Sequence, residues 1–177
     1  MFTYCLNNPV IMGDDEGMDA VVLIDNEGAN GFGHVGFLAQ DSEGVWWHFY
    51  WGPSMKVPCL FGTVKETTWC RRYDGEISLD AINDAGQYGD SYDKMMYFNG
   101  DFSNSVTQAK SYGKTQNYNL YSRNCSQVSF SLLAESPNDN QVVFRTASTK
   151  MIPKSAYKYT AQNRVRKNSG KVIAMTV

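Results

Sequence analysis

Cys125 stands at the head of a run in which Val128, Ser129, Leu132 and Leu133 follow at the i+3, i+4, i+7 and i+8 spacing of an amphipathic helix. Asn124 before it is a good N-cap residue, and Gln127 three positions later gives a variant of the capping box, so the pattern predicts a helix that Cys125 opens and Pro137 terminates. A thiol in a helix's first turn lies at the positive end of the peptide dipoles, beside unpaired backbone N–H groups, and both stabilise thiolate. Those N–H groups can also receive an oxyanion. Acyl transfer by such a thiolate needs a base, and the chain has two histidines, His34 and His48. His34 can be that base and His48 the polar group that fixes its tautomer. A structural reading stands beside each assignment: a cysteine on an apolar stripe also fills a core, and histidines in paired strands also serve as structural hydrogen bonders.

The elements that must position these groups begin with a hairpin. Gly33 to Gln40 and Val45 to Trp51 read as two strands. A loop of three residues, Asp41-Ser42-Glu43, sets His34 opposite Tyr50 and His48 opposite Gly36, with both rings on one face. In that register they are diagonal neighbours, with Cβ atoms roughly 7 to 8 Å apart. A loop one residue shorter puts them on opposite faces. Alternation places Trp47, Phe49 and Trp51 on the other, core-facing side, and leaves Trp46 and Tyr50 flanking His48 as core or as walls of a groove. Gly31, Gly33 and Gly36 leave open space beside the His34 strand.

Around this pair, Ala20 to Ile24 reads as a buried strand, Met55 to Tyr73 as a further β segment with a turn, and Lys94 to Asn99 as another strand. Ser78 to Ala85 reads as a short helix capped by Ser78, and Asn104 to Tyr112 as a helix ended by Gly113. The first 17 residues are mostly turn formers and do not read as a core element.

The chain of 177 residues is long enough for one domain with a real core. No stretch reaches the roughly 18 to 20 apolar residues of a membrane helix, and the first residues lack the charged and apolar regions of an export signal, so neither a span nor a signal peptide is expected. Residues 1–139 carry all 18 acids and 8 bases, whereas residues 140–177 carry 8 bases and no acid. Such a basic segment either docks on an anionic surface or packs back on its own acidic body. The cysteines at 5, 59, 70 and 125 form no CxxC or CxxH pair, which argues against zinc, and no metal or cofactor is expected. Cys59 and Cys70 suit either a disulfide or two buried thiols.

Two resemblances extend this reading. The order GHVGF, then a second histidine fourteen residues on, then YNLYSRNCSQVSFSLL resembles the circularly permuted papain-like cysteine hydrolases, which include NlpC-type cell-wall peptidases and the lecithin:retinol acyltransferase group. It implies an α+β permuted papain-like fold, an antiparallel sheet packed against a helix with the nucleophile at its N-terminus. Cys125 would then be nucleophile, His34 base and His48 the third polar residue. The N-terminal FTYCLNNPV is similar to the motif that closes the core of rearrangement-hotspot (RHS) repeat proteins, although Asp14-Asp15-Glu16-Gly17 departs from that family's Asp-Pro-x-Gly. That likeness implies residues 1–17 as an RHS-core remnant before a single catalytic domain, 18–177. It also implies a toxin or effector delivered within a larger polypeptide, with a possible cognate immunity protein.

The expected activity is cysteine-dependent amide hydrolysis, first of peptidoglycan peptides. Deamidation or acyl transfer on an intracellular target, and a non-catalytic surface-binding module, are the alternatives. No nucleic-acid partner is expected.

Overall fold

The computed structural model describes residues 18–29, 31–53, 64–85, 91–112 and 117–165. The N-terminal RHS-like stretch, Cys5 and Cys59 lie outside these residues, and so do residues 55–63 of the expected long β segment. Strands β1 (Ala20–Asp25), β2 (His34–Gln40), β3 (Trp46–Pro53), β4 (Val64–Arg72), β5 (Lys94–Phe98) and the two-residue β6 (Asn117–Tyr118) form one antiparallel sheet in the order β5-β1-β2-β3-β4-β6. Among the described residues five helices accompany it: α1 (Leu79–Asp84), α2 (Ser103–Ser111), α3 (Cys125–Leu133), α4 (Gln141–Ser148) and α5 (Pro153–Asn163). The chain is thus α+β, with an antiparallel sheet packed against the helix that Cys125 opens.

Alternation sorts the strand residues onto two faces. Val22, Ile24, Val35, Phe37, Phe49, Trp51, Met96 and Phe98 form the main core with Phe102, Val106, Val128, Phe130, Leu133, Phe144 and Ala156 from the helical side. Phe144 of α4 is its hub, with ring centroids 4.9 Å from Phe98, 6.0 Å from Phe102 and 6.1 Å from Phe130. The opposite face is smaller: Val21, Leu23 and Leu38 pack with Tyr73, Ile77, Ile82 of α1, and Tyr92. Residues 140–165 of the basic segment therefore fold back on the body as α4 and α5, seated in the main core by Phe144 and Ala156.

The β2–β3 turn departs from the three-residue loop expected of it. Gln40 pairs with Trp46 and Leu38 with His48, so the register is shifted by two positions. The reason is Asp41. Its N–H donates to Val45 O (3.0 Å), and its Oδ1 accepts from the N–H groups of Glu43 (3.0 Å) and Val45 (3.1 Å), which closes a five-residue loop. Burial pushes the Asp41 carboxyl up, but hydrogen bonds from Trp47, Glu43, Val45 and Lys110 outweigh it and hold the group below the usual carboxylate range. A shift of two preserves the faces, so both histidines still project to one side; they are no longer diagonal neighbours.

Candidate active site

Local chemistry fixes the start of α3. The Asn124 side chain accepts from Gln127 N–H (3.0 Å), and the Gln127 side chain accepts from Asn124 N–H (3.0 Å), which completes the capping box. The Asn124 amide nitrogen donates to Leu120 O (2.9 Å) and Met151 O (2.6 Å), tying the helix start to the preceding loop and to the α4–α5 turn. Trp51 Nε1 donates to Arg123 O (3.0 Å), which pins the same loop to β3.

Cys125 is fully buried against β2. The β2–β3 pairing reaches only from Gln40↔Trp46 to Phe37↔Phe49. Beyond it, the backbone of Val35 turns to α3: its N–H donates to Cys125 Sγ (3.5 Å), and its carbonyl accepts from Ser129 Oγ (3.4 Å). The sulfur therefore sits at the peptide link between His34 and Val35, in the place where a third strand residue would otherwise pair.

The two rings occupy the other face. His34 stacks on Tyr50 (centroids 4.7 Å), and Tyr50 stacks on Trp69 (5.4 Å, nearly parallel). His48 meets the Trp69 ring edge-on at 4.7 Å. Tyr92 lies between the histidines, 6.4 Å from one ring and 6.0 Å from the other, and its hydroxyl is 3.4 Å from His48 Nε2. Gly36 makes room for it, since a Cβ there would lie 2.7 Å from the Tyr92 hydroxyl oxygen. Tyr92 and Trp69 are the members of this group that sequence reasoning missed: single aromatic residues so far along the chain from His48 carry no local signal.

Both imidazoles are buried. Burial lowers the pKa of His34 to about 4, and burial together with the charge of His34 lowers that of His48 to about 3, so both are neutral at pH 7. His34 Nε2 is buried without a hydrogen-bond partner. The structure thus brings the histidines together around Tyr92 and brings the sulfur to the backbone beside His34, but no hydrogen bond joins Cys125 to His34 Nε2.

Cys70, by contrast, is a free thiol on β4 whose burial pushes its pKa up to about 12. No group of three or more His, Cys, Asp or Glu among the described residues could hold a metal ion. Nor is any described helix long and apolar enough to cross a membrane.

No family model, curated protein or solved structure matches the chain.

Proposed function

We propose that this chain is a cysteine-dependent amide hydrolase acting through an acyl-enzyme, on a permuted papain-like fold, with peptidoglycan peptides as its first substrate class. One observation carries the reading: the capped N-terminus of α3 holds Cys125 Sγ against the N–H of the residue that follows His34, while His34 Nε2 is left with an unused site. A neutral His34 can accept the thiol proton at that nitrogen, and the first-turn N–H groups of α3 can receive the carbonyl oxygen. Sulfur then attacks the carbonyl, the proton passes to the leaving amine, and water releases the acyl group. The sulfur is buried and the His34 ring stands on the face of β2 away from α3, so the described arrangement is a closed one: proton transfer requires the ring, on the first residue of the strand, to turn toward the thiol as substrate enters.

The likeness of residues 2–10 to the RHS closing motif supports delivery within a longer polypeptide, with an immunity protein as partner. A non-catalytic binding module is the second reading, favoured by the full burial of Cys125 and the lack of a bond to His34 Nε2.

Labelling with a thiol-reactive probe at pH 6 separates the two. Catalysis predicts that Cys125 reacts far faster than Cys70 and loses that advantage in His34→Ala. Equally slow thiols would overturn it. Incubation with peptidoglycan then identifies the substrate: release of new amines supports wall cleavage, and none points to another amide.

A further inference from the structure

Phe32, Tyr121, Met151 and Ile152 are 40%, 47%, 52% and 43% exposed, unusual values for large apolar side chains that lie together. With Leu120 and Pro153 they line one shallow cavity of about 40 Å³. Single exposed apolar residues need no explanation, whereas several that line one depression form a local apolar surface that a partner can cover. The cavity is far smaller than the roughly 300 to 1,000 Å³ of a small-molecule site, so the feature is a surface rather than a pocket.

Three chain segments build it, and each is held by its backbone. The Asn124 amide ties Leu120 to Met151, and Lys154 N–H donates to Phe32 O (3.3 Å). Gly33 leaves room for the Lys154 stem, since a Cβ there would lie 2.9 Å from Lys154 Cγ. The apolar side chains are therefore presented outward by a fixed frame.

Charge points to the occupant. Residues 117–134 and 140–165, which supply all of the patch except Phe32, contain no acid and include Arg123, Lys154 and Lys158. Asp25, at the end of β1, is engaged by its own chain, its carboxylate accepting from the N–H groups of Glu27 and Gly28 at 2.9 Å, which leaves the exposed Glu27 as the acid of the β1–β2 loop against these three cations. Protein–protein interfaces enrich Arg, Met, Phe and Tyr but deplete lysine, so it is Lys154 and Lys158, in the segment that carries Met151 and Ile152, that favour the boundary of an anionic bilayer.

We propose that this face docks on an anionic lipid surface. Phe32, Met151 and Ile152 enter the acyl boundary, Tyr121 lies at headgroup depth, and Arg123, Lys154 and Lys158 meet the phosphates. The proposal is independent of the chemistry assigned to Cys125.

The test is co-sedimentation of the full chain with vesicles of phosphatidylcholine alone and of phosphatidylcholine mixed equally with phosphatidylglycerol. Binding is expected to the mixed vesicles and to weaken as salt rises. The double substitution Met151→Ser with Ile152→Ser lowers it by about tenfold or more, as expected for two apolar side chains withdrawn from the boundary. Lys154→Glu lowers it and flattens the salt dependence. Val142→Ser, at a residue 73% exposed on α4 and outside the patch, leaves it unchanged. Circular dichroism confirms that each variant is folded. Binding to neither vesicle, or binding indifferent to these substitutions, would overturn the proposal. So would a concentration-dependent dimer that the double substitution dissolves, which would make the patch a self-association surface.

Discussion

Strands β2 and β3 present two unlike surfaces built from alternate residues of the same stretch. Toward the helices stand Val35, Phe37, Ala39, Phe49 and Trp51, all buried in hydrocarbon with α3 and α4. Toward the other side stand His34, Gly36, His48 and Tyr50, which meet Trp69 and Tyr92 in a layer of rings that can titrate or donate hydrogen bonds. The first face stabilises by volume filled. The second carries a burden the first does not: an unpaired buried nitrogen on His34 costs about 1 to 3 kcal/mol. A fold keeps such a group most readily where the group has work to do, which is why the histidine layer, and not the larger core, draws functional attention.

The comparison can be broken at its strongest point first. Phe144→Ala removes the hub of the helical face and should cost about 3 to 5 kcal/mol in urea unfolding, with no change in how stability depends on pH. The histidine face answers to pH instead. Both rings have folded pKa values below the ordinary 6.5, so the unfolded chain binds more protons across the intervening range. Stability is then fully present above about pH 6.5 and is lost as pH falls toward 4, by about 1.4 kcal/mol per pH unit for each ring. Denaturation at pH 7 and pH 5 should therefore differ by about 2 kcal/mol per ring, and His48→Gln should remove one ring's share. A flat profile would mean that the rings are not buried as described.

Asn124→Ala deletes a cap that also ties two loops together, and a loss of about 1 to 2 kcal/mol is expected from thermal unfolding. Smallest is Tyr92→Phe, which keeps the ring and removes a long hydrogen bond to His48. It should cost about 1 kcal/mol or less while raising no cavity, and NMR titration of His48 reads the change directly.

How much of this was visible in the amino-acid order depended on how local each determinant is. The start of α3 was readable because Asn124, Cys125 and Gln127 settle it within four residues. The shared histidine face survived a wrong register because the error was an even number, and the register itself escaped because the Asp41 side chain chooses the loop length. Helices α4 and α5 were hidden by attention to charge, although Val143, Phe144 and Ala147, then Ala156, Tyr157 and Thr160, carry buried stripes at helical spacing. The seat of the sulfur against Val35 and the place of Tyr92 are tertiary facts. Partners separated by 90 and 44 positions leave no mark in a local pattern.

The handover of the Val35 peptide from strand to helix has a kinetic consequence. Its amide is protected from solvent deuterium by a sulfur ninety positions away rather than by a neighbouring strand, and sulfur is a weak acceptor. That one proton should exchange whenever α3 lifts from the sheet, long before the rest of β2 opens, and its rate serves as a clock for the undocking that admission of a substrate demands.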